Sequence, residues 1–464
     1  MSAPEQLERG LSLTEATALN MTFMVGIGPF VVIPFVVQAM GGPQCLLAWI
    51  LGAALAAFDG CVWAELGAAM PQAGGSYVFL REAYGARSWG RMMSFLFIWQ
   101  TLFQAPLSIA SGALGFADYS GFLVRKSTWL TATLAPLGSF AGKFIAGTIV
   151  ALVVLLLYRR IAAIGKISVV LCAIVIGTIL WIIYGGVRHH QPGLLFSYPP
   201  GAWDLSKLFF LGLGHATVQT VYSYLGYYNV SNLGGEMKQP ERNIPRAIFI
   251  SILGIAVLYL AMQASVLSVV PWQEAAKTRA VVSVFVERAF GGNWATLATS
   301  LILVSAFGSV FAAMAGYSRV PYAAALDGNF FSVFARVHPT KHFPHISLLA
   351  LGATAILFCL SLSLIDAIRA ILAMRCIIQF IGQAVGLLML RRRWSASKFP
   401  FRMWLYPIPV AIAILGWAAI FISTGPRPML ASLGAMALGA VIYFGRARLI
   451  HQWPFETVPS SGGA

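Results

Sequence analysis

The sequence predicts an all-α, polytopic membrane protein of about 12 transmembrane helices, and three observations lead there. The 464 residues are 59% hydrophobic and only 10% charged, against roughly 25% charged in soluble globular chains, so most of the surface faces something other than water. Mean hydropathy is +0.79, and the apolar runs are long, many near the roughly 20 residues a helix needs to cross the hydrocarbon core. Alternating ten-residue strands are absent from the sequence, which excludes a membrane barrel. Helices remain as the way to satisfy backbone groups in lipid.

The expected spans, in chain order, are 14–38, 44–69, 88–117, 141–158, 165–187, 207–233, 246–270, 294–318, 346–364, 366–390, 404–422 and 428–444, with the first and sixth interrupted. Connections are short except around 319–345, where Arg319-Val-Pro-Tyr322 opens what reads as a short helix along the membrane surface. This divides the chain into a tail at 1–13, a ten-helix core at 14–403, two further helices at 404–444 and a tail at 445–464. The N-terminus has neither a basic n-region nor a small-residue cleavage site, so the first span is expected to stay in the mature protein. Lys and Arg on alternate sides of the spans sum to about 20 on one side against roughly 9 on the other. Positive residues favour the cytoplasm, which places both termini there and the chain in an inner membrane. The net charge of +16 is scattered in short groups between spans, with no basic stripe, so no nucleic-acid partner is expected. The five cysteines all lie in apolar stretches without CxxC spacing and read as small apolar side chains.

Two spans carry residues that a lipid-facing helix does not want. Met24-Val-Gly-Ile-Gly-Pro-Phe-Val-Val-Ile-Pro34 sits inside an apolar run. Gly26 and Gly28 relax the backbone, and Pro29 and Pro34 each remove an intrahelical donor. Unwound backbone at bilayer depth is tolerated only where it lines a cavity or is buried in protein; a simple kink or a close-packing glycine face is the plainer alternative. About 200 residues later, Tyr222-Ser-Tyr-Leu-Gly-Tyr-Tyr-Asn-Val-Ser-Asn-Leu-Gly-Gly-Glu236 places Gly226 among tyrosine, serine and asparagine, whose polar tips need partners. Two interrupted helices, one opening each half of a ten-span core, point to a transporter with inverted repeats. A broken helix leaves free N–H groups at one half-helix end, suited to a carboxylate, and free C=O groups at the other, suited to an ammonium.

On these residues the chain resembles the amino acid–polyamine–organocation transporter superfamily. The match is carried by the Gly26-Ile27-Gly28 break and by Trp63-Ala-Glu-Leu-Gly-Ala-Ala-Met-Pro-Gln-Ala-Gly-Gly-Ser-Tyr77 after span 2. It continues in Gly235-Glu-Met-Lys-Gln-Pro-Glu-Arg-Asn-Ile-Pro-Arg246 after span 6 and in Ser318-Arg319 with Ala325-Leu-Asp-Gly328 after span 8. The resemblance covers roughly residues 10–420. It implies a five-plus-five inverted repeat with two further helices, alternating access by a bundle rocking against a scaffold, and an amino acid as substrate. It further implies that Gly26, Ile27 and Gly28 offer amides to a substrate carboxylate, while Tyr224, Gly226 and Tyr227 line the rest of the pocket. Tyr228 departs from the family pattern, whose members often have an acidic residue or Asn there.

Charged groups within spans are costly and mark partners or function. Asp59 and Glu65 in span 2 are six residues apart, about 600° of helical rotation, hence on nearby parts of one face. Asp59, the deeper, is a candidate for proton or cation coupling, with a structural hydrogen bond as the alternative. Glu65 and Glu236 are candidate gate residues at the cytoplasmic ends, the latter beside a stiff turn expected at Pro240 and Pro245. Ser305 and Ser309, four apart on span 8, are candidates for Na⁺, although such spacing also serves helix packing. In span 10, Arg369 is expected to snorkel and Arg375, followed by Gln379 and Gln383, to face protein, with either a candidate to pair with a scaffold acid.

Other classes fare worse. His338, His342 and His345 are separated by Pro339 and Pro344 and do not share a helix face, so neither a metal nor another cofactor is expected beyond a coupling H⁺ or Na⁺. No phosphate-loop motif is present, and no nucleophile–base set points to an enzyme. A polyamine or other organocation is the second substrate class, helped by tyrosines through cation–π contact but short of acids. A transporter-like membrane sensor is the alternative outside transport.

Overall fold

A computed structural model describes residues 9–159, 161–278, 280–361, 364–449 and 452–455; the ends of both expected tails lie outside these. The first expected span is two helices, α1 (Leu13–Met24) and α2 (Gly28–Met40), bent by 42° at the break. A capping box starts α1: Ser12 accepts from Glu15 N, and the Glu15 carboxylate returns to Ser12 N at 2.8 Å, satisfying two end donors at once. α2 opens with Pro29 in its first turn, where the missing N–H removes nothing the helix needs. α3 (Leu46–Ala69), α4 (Ser76–Ala83) and α5 (Trp89–Lys126) follow, then α6 (Thr128–Leu134), α7 (Ala141–Leu157) and α8 (Ile161–His189).

The sixth span is α9 (Lys207–Tyr224), an irregular turn, and the one-turn helix α10 (Asn229–Asn232). α11 (Pro240–Val269) begins six residues before its expected start. The stiff turn expected at Pro240 and Pro245 is instead its first two turns, because Pro240 takes the N1 position, for which its fixed φ is suited. α12 (Trp272–Ala275), α13 (Val281–Phe290) and α14 (Gly292–Tyr317) lead to the short helix expected after span 8, α15 (Arg319–Leu326). α16 (His345–Ser361) precedes the tenth span, which is not one regular helix: α17 (Leu364–Arg375) passes through a π-helical turn at Cys376–Gly382 into α18 (Gln383–Arg393). α19 (Ile408–Ser423) and α20 (Pro426–Leu449) complete the chain. Each expected span meets a helix. Among the described residues 7 helices are long and apolar enough to cross a bilayer alone, or 9 counting each bent pair once, and α16 and α19 are shorter apolar helices.

Packing divides these helices into two groups. α1, α2, α3, α9 and α11 share one buried apolar cluster, with α3 against α11 and α9, and α2 against α9. α5, α7, α14 and α16 dominate a second. α1 also touches α8 and α14, so the broken helix lies along the seam between the groups. At one end, Leu11 pairs with Met237 and Ala73 with Leu233 in isolated β-bridges, tying the segment before α1 and the loop before α4 to the end of the broken sixth span.

Candidate functional site

Both helix breaks are held by side chains from neighbouring helices. Asn20 on α1 donates to Tyr227 O at 2.6 Å and accepts from Val230 N at 2.9 Å, replacing two bonds that α9 and α10 lose by separating. Tyr259 on α11 donates to Met24 O at 2.7 Å and lies 3.3 Å from Ser223 O, so one hydroxyl bridges the ends of α1 and α9. Ser309 on α14 donates to Phe23 O at 3.3 Å. Gly226 has φ +128, and a Cβ there would lie 3.0 Å from Met24 N; only glycine permits that backbone and that approach of one break to the other. Among the described residues, no group accepts from the main-chain N–H of Gly26, Ile27 or Gly28. These are the free donors expected at the start of a half-helix.

The donors border a narrow cavity with about 450 Å³ of empty space, open mouth included. Gly26, Ile27 and Gly28 line it together with Ser309, Ser108 and Ser111 of α5, Tyr222, Ser223 and Leu225 of the sixth span, and Arg375. Ser111 Oγ and the Tyr222 hydroxyl are 3.1 Å apart. Arg375 is 1% exposed. It contacts the Tyr228 hydroxyl and donates to Tyr317 (2.5 Å) and Ser108 (2.7 Å), while the Gln104 amide, its oxygen turned inward, accepts from Nε at 3.0 Å. The acid expected to pair with Arg375 is not there: no ion pair among the described residues includes it.

The tyrosines of the sixth span are placed differently from the implied pocket. Tyr224 packs edge-on against Trp49 and tilted against Tyr259, at 6.0 and 5.3 Å between ring centres, and Tyr227 donates to Asp59 Oδ2 at 2.5 Å. Tyr224, Gly226 and Tyr227 support the break from behind and are not among the cavity-lining residues. Asp59 is buried halfway along α3, and its Oδ1 has no hydrogen-bond partner among the described residues. Ser305 bonds back to Leu301 O at 3.1 Å within its own helix, whereas Ser309 reaches the cavity.

Glu65 and Glu236 form the two most buried ion pairs among the described residues. Glu65 takes both Nε (2.5 Å) and Nη2 (2.6 Å) of Arg391 and also accepts from Met403 N at 2.9 Å, joining α3 to the end of α18 and the segment before α19. Glu236 takes Nε (2.8 Å) and Nη2 (2.9 Å) of Arg319, the pair being 2% and 0% exposed. Doubly bonded arginine–carboxylate pairs have fixed geometry and are strong, so each acts as a latch between segments distant in sequence.

Sequence reasoning missed Asn20, Tyr259 and the cavity-facing Ser108 and Ser111. The available signal was weak: a lone Tyr or Asn in an apolar span must find a partner, but nothing local names it.

Residues 11–444 match the model of a family described as amino acid permease. The chain is 27% identical to cationic amino acid transporter 4 of Mus musculus, across 84% of this chain and 61% of that protein. It is 24% identical to the branched-chain amino acid permease BcaP of Bacillus subtilis, across 96% and 94%. With the serine/threonine exchanger SteT of the same organism it shares 29% identity, across 88% and 90%. It thus spans 61% of the length of the mammalian cationic transporters it matches and most of the length of the bacterial relatives. With helices broken at Gly26–Gly28 and at Gly226, and a family match running from residue 11 to residue 444, the chain belongs to the amino acid permease family of the amino acid–polyamine–organocation superfamily.

Proposed function

We propose that this protein is a secondary transporter that carries amino acids across the cytoplasmic membrane by alternating access. The observation that carries this reading is the row of free N–H groups at Gly26, Ile27 and Gly28 on a cavity at the seam between two helix groups. A carboxylate satisfies those donors, and the carbonyl ends of α1 and α9 favour an ammonium, so a zwitterion is held at both ends by main chain alone. Relatives named for cationic, branched-chain and hydroxyl amino acids agree on the amino acid and differ in its side chain, as expected if main chain binds what all amino acids share.

Alternating access needs a closed side. The Glu236–Arg319 and Glu65–Arg391 pairs, with the Leu11–Met237 bridge, lie on the side that positive-residue counting places in the cytoplasm. They hold that side shut, leaving the cavity to be reached from outside. Coupling falls to Asp59: a buried carboxyl with one unpartnered oxygen, bonded through Tyr227 to the turn between α9 and α10, joins proton occupancy to the broken helix. A polyamine fits less well, because among the described residues no Asp or Glu lines the cavity and an Arg does.

Purified protein in liposomes, offered labelled amino acids under an inward proton gradient, tests the reading. Saturable accumulation of at least one amino acid above protein-free liposomes is expected. Rates equal to protein-free liposomes for all twenty would overturn it.

A further inference from the structure

Arg375 is a buried cation held, among the described residues, only by neutral groups. Its contacts are the hydroxyls of Tyr228, Tyr317 and Ser108 and the Gln104 amide. Asp59 stands two tyrosines away: it bonds to Tyr227, whose ring meets that of Tyr228 edge-on at 5.2 Å. An enclosed guanidinium without a carboxylate is unfavourable, and neutral hydroxyls orient such a charge without cancelling it. Of the five N–H donors of an arginine, these partners take one on Nε, one on Nη1 and two on Nη2. The second on Nη1 has no partner among the described residues. The same side chain lines the cavity that Gly26, Ile27 and Gly28 border, and among the described residues it is the one charged group in that lining.

The site therefore offers two places for negative charge: the free main-chain N–H groups and the guanidinium. We propose that Arg375 receives a second carboxylate of the substrate, and that the preferred class is acidic amino acids. The proposal rests on the transport reading and narrows it. The α-carboxylate takes the N–H groups of the break, the ammonium takes helix-end carbonyls, and the side-chain carboxylate completes the shell of Arg375. A lysine or arginine side chain entering the same cavity meets a like charge where water screens little. A neutral side chain leaves the guanidinium unpaired.

Glutamate and glutamine, nearly equal in size and different in charge, test this in proteoliposomes. For the wild-type protein, kcat/KM for glutamate or aspartate should exceed that for glutamine or asparagine at least tenfold, and arginine should neither enter nor compete. Arg375→Gln should bring the glutamate-to-glutamine ratio within about threefold of one, and Arg375→Lys should keep part of the preference. Should Arg375→Gln not fold, the wild-type ratio decides alone. Uptake of glutamine or arginine as efficient as that of glutamate would overturn the acidic class and leave amino acid transport standing. An Arg375→Gln protein with the full glutamate preference would overturn the assignment of Arg375. Uptake of no amino acid at all would instead remove the transport reading on which the proposal rests.

Discussion

Asp59 and Asn20 show how single side chains tie the sixth span to the rest of the protein. The Tyr227 hydroxyl donates to Asp59 at 2.5 Å, which ties the carboxyl to the turn between α9 and α10. Asp59→Asn keeps the shape and removes the ionisable group; it should abolish proton-driven accumulation while sparing exchange of internal for external substrate. Unchanged accumulation would remove Asp59 from coupling. Asn20 performs a different task, satisfying Tyr227 O and Val230 N in a buried site. Asn20→Leu orphans both, at about 1–3 kcal/mol for each group, and should lower thermal stability in detergent, whereas Asn20→Ser, which retains a donor and an acceptor, should lower it less.

At the scale of the element, the break in the first span depends on a glycine pressed against another helix. A Cβ at Gly26 would stand 2.5 Å from Ser309 Oγ and 2.8 Å from Ser309 Cβ, closer than atoms can approach. Gly26→Ala should therefore push α1 from α14 and abolish uptake. Ser309→Gly in the same chain removes both offending atoms and should restore part of the uptake, if the fault is crowding. A double variant as inactive as the single would assign Gly26 another role. Gly226→Ala differs in kind, for φ +128 is strained for any L side chain and the new Cβ would meet Met24 N at 3.0 Å; no single neighbouring substitution should rescue it.

For the whole molecule, the two arginine–carboxylate pairs join segments far apart in the chain. Arg319 and Glu236 are 2% and 0% exposed, so removing one leaves a buried charge, with a typical loss of about 3–5 kcal/mol. Arg319→Met and Glu236→Met should each lower the unfolding temperature sharply, and together should lower it less than either alone, a coupling that a double-mutant cycle reads directly. Additive losses would show that the two groups do not act as a pair. Division of the core between a cluster around α1, α2, α3, α9 and α11 and another around α5, α7, α14 and α16 fits motion of one group against the other, because apolar surfaces within each group stay packed while the seam between them opens.

Much of this was legible in the chain itself. Apolar run length predicted helices along every expected span, and Gly26, Gly28 and Pro29 predicted where the first span breaks, because glycine freedom and the missing proline donor act within a residue or two of where they stand. Gly226 marked the second break for the same reason. The start of α11 was misjudged because Pro240 and Pro245 serve a turn and a helix N-terminus equally well until the neighbouring chain is in place. Tertiary structure alone decided which polar side chains meet. Arg375 contacts Ser108, 267 positions away, and Glu65 joins Arg391 across 326; Tyr227 turned to Asp59 while Tyr222 reached the cavity, though both belong to one tyrosine-rich stretch. Local pattern fixes backbone geometry because its causes are local, whereas the partner of a buried charge is chosen by the packing of helices far apart in the chain.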